Sequence, residues 1–133
     1  MPHCILEHSN NIVDQPDFHK LLCQVHEFLA GTGLFRQADI KSRVVCHDLF
    51  VVGDGAQDRA FVTMNVCIFG GRDDATKARI SKGVLGVLQR HFARTLAERR
   101  CNITVQVTDM HRDSYAKLAS YSATPTRGVE TPR

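Results

Sequence analysis

A proline at position 2 is the first place in this chain where chemistry can be read directly from residue type. The initiator methionine is commonly trimmed before a small second residue, and its removal from Met1-Pro2 exposes a prolyl secondary amine. Such an amine carries a proton above neutral pH and becomes a base only where burial and nearby cations disfavour its charged form. A shift of two units takes about 2.7 kcal/mol. Other reactive residues form weaker groups. His19, Cys23 and His26 recur one turn apart, as metal ligands on a helix would, but no carboxylate completes the set. Cys46 and His47 are adjacent and point to opposite faces of a strand, which separates a nucleophile from its base. Gly70-Gly71-Arg72 lacks the glycine spacing and the Lys-Ser/Thr of a phosphate loop. Its arginine stands beside a helix start, where backbone N–H groups attract anions. Lys41 and Arg43 share one side of a strand, a position in which basic residues ordinarily guard an edge.

The elements that must position these residues follow from periodicity. Residues 3–8 read as a strand covered on both faces. Asp14 is the expected N-cap of a helix with Pro16 in its first turn, and Phe18, Leu21, Leu22, Val25 and Leu29 form its inner face. Gly31 and Gly33 end it. Two long strands, from Asp39 to Val52 and from Arg59 to Phe69, flank Gly53-Asp54-Gly55 and read as a hairpin. Asp73 and Asp74 are candidate caps for a long helix with Ile80, Val84, Leu85, Leu88, Phe92 and Leu96 inward. Gly83 and Gly86 inside it each cost about 1 kcal/mol against alanine, which a close backbone approach would explain. Ile103, Val105 and Val107 alternate with polar residues in a last strand.

The order is β-α-β-β-α-β, duplicated in elements though not in residue identity. The expected fold is α/β (α+β): two βαβ halves, about 1–55 and 56–110, forming a four-stranded mixed sheet with both helices on one face. Residues 111–133 read as a C-terminal tail or arm. The bare sheet face still carries apolar residues, which implies that copies of the chain associate through it.

Composition excludes several classes. The 133 residues suit one domain, and 43% hydrophobic with 23% charged residues is the balance of a globular chain. A formal charge of +3 without clustering argues against a nucleic-acid partner. The five cysteines never form CxxC and read as reduced thiols. Without an apolar run of about 18 residues or a secretory plan, the expected location is cytoplasmic, with no membrane partner.

Met1-Pro2-His3-Cys4-Ile5-Leu6-Glu7, the duplicated β-α-β order and Gly70-Gly71-Arg72 occur together. They are joined by Ser9, Asn11-Ile12, Thr32-Gly33, Ser42-Arg43-Val44, Asp54-Gly55 and Ala60-Phe61-Val62. Over about residues 1–110 the chain resembles the 5-carboxymethyl-2-hydroxymuconate isomerases of the tautomerase superfamily. The resemblance implies a homotrimeric, cofactor-free and metal-free isomerase of aromatic-acid catabolism. Its substrate would be a small di- or tricarboxylate dienol. Pro2 would be the acid–base group, and Arg72 would bind a substrate carboxylate while helping to depress the pKa of the amine. A second arginine is expected where this chain has Lys41, which keeps the charge but loses the bidentate fork, so that Arg43 would share its task. Two other readings use the same fold: a tautomerase acting on another enol acid, and a non-catalytic trimeric binding protein in which Met1 is retained.

Overall fold

The computed structural model describes residues 1–121. In chain order the elements are β1 (His3–Ser9), α1 (Phe18–Gly31), a 3-10 turn (Gln37–Asp39), β2 (Lys41–His47), β3 (Arg59–Phe69), α2 (Asp74–His91), α3 (Ala93–Glu98), β4 (Arg100–Met110) and a second 3-10 turn (Arg112–Ser114). The sheet order is β2-β1-β3-β4, with β1 parallel to β2, β3 parallel to β4, and β1 antiparallel to β3. Two βαβ units therefore meet back to back at the centre, in the mixed four-stranded sheet expected from the element order.

The central strands alternate strictly. Cys4 and Leu6 of β1 and Val62, Met64, Val66 and Ile68 of β3 are buried beneath the helices with Leu21, Val25, Leu29, Ile80, Val84 and Leu88. The opposite face is uncovered within one chain, as expected of a sheet with both helices on one side. It mixes half-buried Ile5, Phe61 and Cys67 with a polar ladder, in which Thr104 Oγ1 donates to Thr63 Oγ1 (2.9 Å) and Thr108 Oγ1 to Asn65 Oδ1 (2.7 Å).

The expected hairpin does not form. The chain after Gly53-Asp54-Gly55 does reverse, but β1 lies between β2 and β3, so the turn joins strands that never pair. Asp17, not Asp14, caps α1 by accepting from Lys20 N at 3.1 Å. Asp14 turns instead to Thr95, accepting from its backbone N–H and its hydroxyl, both at 2.7 Å, and ties the entry of α1 to α3. The long second helix breaks at Phe92, whose φ of −117° leaves the helical range. As a result Leu96 is 39% exposed, and Val87 takes a buried place beside Leu88. Asp73 caps α2 as expected, through Thr76 N at 2.8 Å.

Gly83 meets the expectation of a close approach. A Cβ built there would lie 1.8 Å from Cζ of Phe28 on α1, whereas one at Gly86 would meet nothing within 4 Å. The glycine lets the two helices, and so the two halves, press together over the sheet. Among the described residues no helix is long and apolar enough to cross a membrane.

Candidate active site

Parallel pairing of β1 with β2 sets the opening of both strands side by side. Lys41 is in register with His3, and its backbone N–H donates to the Pro2 carbonyl at 3.1 Å. Pro2 is buried at this point. Met1 is also sheathed, 3% exposed, with its ammonium donating to the Asp39 carbonyl at 2.9 Å. The same carbonyl accepts from Lys41 Nζ at 3.2 Å. The amino terminus and Lys41 thus converge on one backbone oxygen, at the end of the short 3-10 turn that leads into β2.

Asp39 itself is 1% exposed. Its carboxylate accepts from Arg36 Nε at 2.8 Å and faces Lys117 Nζ at 3.6 Å across Oδ1. Burial alone would raise this carboxyl. The Arg36 hydrogen bond, with the charges of Lys117, Arg36 and the terminal ammonium, outweighs burial and holds the group below the ordinary carboxylate range. His3 is pushed the other way from a cation's preference: burial, then Lys41, the terminal ammonium and Arg43, lower its pKa and keep the ring neutral near pH 7. Its Nε2 and the Tyr115 hydroxyl share a hydrogen bond of 3.3 Å.

Arg72 arrives at this end from β3. Because β3 runs against β1, with Cys67 opposite His3, the strand's last residues and the loop beyond return beside the amino terminus. The Arg72 guanidinium donates to the Leu34 carbonyl at 3.4 Å and stands 5.7 Å from the centroid of the Phe35 ring. Residues 34 and 35 lead directly into Arg36, so Arg72 is tied to the segment that forms the Asp39 turn. The structure therefore brings Pro2, Lys41 and Arg72 to one end of the sheet. Arg43 projects on the bare face instead, in register with Ile5. Burial raises the pKa of the Cys67 thiol on that face, and the Arg43 charge opposes the push. Arg43 shares a side with Lys41, two residues farther along the edge strand, where its charge acts on His3 and Cys67 at the opening of β1.

The sequence by itself does not single out Arg36, Asp39, Tyr115 or Lys117. A local signal exists for the first pair, since Arg36 and Asp39 are three apart just before a strand and clasp at 2.7 Å. None exists for Tyr115 and Lys117, which reach the site only because the chain after β4 folds back. There Tyr115 packs edge-on against Phe69 at 5.1 Å between ring centroids. The rest of the expected tail, residues 122–133, lies outside the described residues.

The helical His-Cys-His group disperses. His19 Nδ1 and Cys23 Sγ lie 3.8 Å apart, while His26 turns inward to hydrogen-bond Ser42 Oγ. Among the described residues no three His, Cys, Asp or Glu side chains gather as a metal site would require. Cys46 is exposed, and His47 pairs with Glu7 Oε1 at 2.8 Å across the strands. An open cavity of about 310 Å³ lies at the opposite end of the sheet, against Asn10, Asn11, Phe50 and Arg59, away from the converging cations. A smaller recess of about 260 Å³ sits between Gly70 and Met110–Asp113, on the Pro2 side.

The duplicated βαβ sheet is the fold of solved isomerases. A solved 5-carboxymethyl-2-hydroxymuconate isomerase from Deinococcus radiodurans R1 superposes with a TM-score of 0.81, at 24% identity over 88% of each chain. A fused 4-OT wild-type symmetric trimer superposes with a TM-score of 0.68, at 15% identity over 90% of this chain and 94% of that one. In sequence, the CHMI family of 5-carboxymethyl-2-hydroxymuconate isomerases matches residues 2–123. The 5-carboxymethyl-2-hydroxymuconate Delta-isomerase of Escherichia coli is 32% identical over 111 residues, covering 84% of this chain and 88% of that protein. The chain belongs to the 5-carboxymethyl-2-hydroxymuconate isomerase family, and it is an isomerase. The family match runs past Met110 into the segment that carries Tyr115 and Lys117.

Proposed function

We propose that this isomerase converts 5-carboxymethyl-2-hydroxymuconate to its conjugated 2-oxo isomer, with the amine of Pro2 as the proton carrier once Met1 is removed. The observation that carries this reading is the burial of Pro2 next to an amino terminus that meets Lys41 Nζ on the Asp39 carbonyl, with Arg36 and Lys117 paired to the Asp39 carboxylate. A secondary amine placed there loses hydration and meets net positive charge, and both effects favour its neutral, basic form. The uncharged nitrogen takes the proton of the 2-hydroxyl as the enol electrons move outward along the dienol. The resulting ammonium returns a proton to the distant carbon, so the double bond shifts and the base is regenerated. Arg72 offers a planar fork to one carboxylate, Lys41 a point charge to another, and Arg43 a weaker third contact.

The assembly fits a homotrimer joined through the bare sheet faces. Its support is the apolar part of that face and the likeness in fold to a trimeric protein. We place the enzyme in the cytoplasm, in the breakdown of aromatic acids. Intact mass of the protein isolated from its own cells tests the first requirement, because a chain that keeps Met1 has no free prolyl nitrogen. Steady-state assay of Pro2→Ala on the dienol tests the second: full activity in a folded variant overturns the reading.

A further inference from the structure

The residue that opens β1 has no part in the proton transfer described above. His3 follows Pro2 directly and precedes inward-facing Cys4, so alternation sets its ring on the uncovered face, at the rim of the sheet. It is in register with Lys41, and Ile5, two residues on, is in register with Arg43. The two cations read as carboxylate binders on β2 thus stand beside it, and Cys67 of β3 lies opposite. A further neighbour comes from beyond β4. The Tyr115 hydroxyl and His3 Nε2 share a hydrogen bond of 3.3 Å, with the rings edge to face at 6.2 Å.

Tyr115 is itself held firmly. It packs at 87° against Phe69, which is 1% exposed, and the Arg112 guanidinium lies 4.4 Å over that same ring. Two residues on, Lys117 Nζ reaches Asp39 Oδ1 at 3.6 Å. Residues 112–117 therefore cross the open end of the sheet from the β4 side to the turn before β2. The hydrogen bond they bring to His3 has a preferred direction. A phenolic O–H is a more acidic donor than a neutral imidazole N–H, so the Tyr115 hydroxyl donates to Nε2 and the ring proton stays on Nδ1. Burial, the charge of Lys41, the Met1 ammonium and Arg43, in that order, lower the pKa of the ring. Burial and both side-chain cations persist once Met1 is gone. Among the described residues Tyr115 is the hydrogen-bond partner of this ring, which leaves Nδ1–H for a ligand.

We propose that His3 is a specificity-determining residue that donates its Nδ1–H to a substrate carboxylate drawn in by Lys41 and Arg43, and that Tyr115 is the positioning residue that sets its tautomer. The proposal rests on the reading of this end of the sheet as a site for a polycarboxylate dienol. Lys41 attracts any anion as a point charge. A neutral donor of fixed direction adds a preference for a carboxylate seated in one orientation.

The test uses the full chain without Met1 and the saturated dicarboxylate adipate, which has no enol to isomerise. The charged and titratable groups around the ring are Lys41 and Arg43 on β2, Cys67 on β3 and Tyr115 after β4. A carboxylate placed against the ring favours its charged form, so the ¹⁵N NMR titration of His3 should move upward by about one pH unit in adipate. His3→Phe should raise KM for the dienol about tenfold with kcat within about threefold, and His3→Asn, whose amide N–H takes the place of Nδ1–H, should return KM to within about threefold of the parent. Tyr115→Phe should raise KM about threefold and shift His3 toward the Nε2–H tautomer in the same spectra. A His3 titration that does not move in adipate overturns the proposal, as does a parental KM in folded His3→Phe or failure of asparagine to rescue. Should His3→Phe not fold, the adipate titration decides alone. No proton passes through Pro2 in that measurement. Full activity of Pro2→Ala would sink the base and leave the His3 contact standing, whereas an unmoved His3 sinks the contact and leaves the base.

Discussion

The two halves of the molecule open their strands in the same way and end with opposite chemistry. In the first half Lys41 N donates to the carbonyl of Pro2, and in the second Arg100 N donates to the carbonyl of Asp58 at 3.0 Å. Each is the first residue of an edge strand, in register with His3 and Arg59 respectively. In the second half the residue at Pro2's place carries a carboxylate, and Asp58 clamps the Arg100 guanidinium at 2.7 and 2.8 Å. That cation is consumed internally. In the first half the proline has no acid to offer, and Lys41 Nζ rests on a backbone carbonyl. The duplicated frame thus provides two equivalent strand openings, of which one is neutralised by its own residues and the other keeps its positive charge for an incoming anion.

Breaking the first opening should have the largest effect. Pro2→Ala is expected to lower kcat by about 10²- to 10⁴-fold, the usual contribution of a positioned proton carrier, with the circular dichroism spectrum unchanged. Arg72→Ala should act mainly through binding. Loss of a charge-assisted hydrogen bond to a carboxylate predicts a KM raised by about tenfold to a hundredfold in steady-state assays, with a smaller change in kcat. Lys41→Arg sharpens the comparison by giving the first opening the same fork as the second. It should lower KM by about two- to tenfold as a bidentate contact replaces a point charge, and a raised KM would show that the shorter reach of lysine is what the site uses. The smallest effect belongs to the second opening. Asp58→Ala frees an exposed arginine far from Pro2 and should leave kcat/KM within about twofold of the parent.

Much of this arrangement is legible in the residues themselves. The order of elements follows from alternation in β3 and β4 and from helical periodicity around Leu21–Leu29 and Ile80–Leu88, all local signals. What escapes them is non-local. Gly53-Asp54-Gly55 has every property of a hairpin turn, yet a strand more than forty residues earlier inserts between the segments it joins, and turn chemistry carries no record of that. Asp14 and Asp17 are equally good caps by type, and only the packing of Thr95 decides between them. The site divides in the same way. Pro2, Lys41 and Arg72 stand at strand openings and a helix approach, where position in sequence implies position in space. Lys117 and Tyr115 gain meaning only from the return of the chain after β4, and Asp39 only from its burial among cations, a property that residue type argues against.

The sheathing of Met1 links maturation to folding. An aminopeptidase must draw its target residue into a narrow cleft, and in the closed fold that residue offers almost no surface and has its ammonium occupied. Excision of Met1, on which the proposed role of Pro2 depends, would therefore have to take place on the emerging chain or through a transient opening of the first strand. A polypeptide that closes ahead of the peptidase stays capped, so fast synthesis in a foreign host should yield a mixture of processed and unprocessed subunits whose proportion, rather than any defect in shape, sets the specific activity of the preparation.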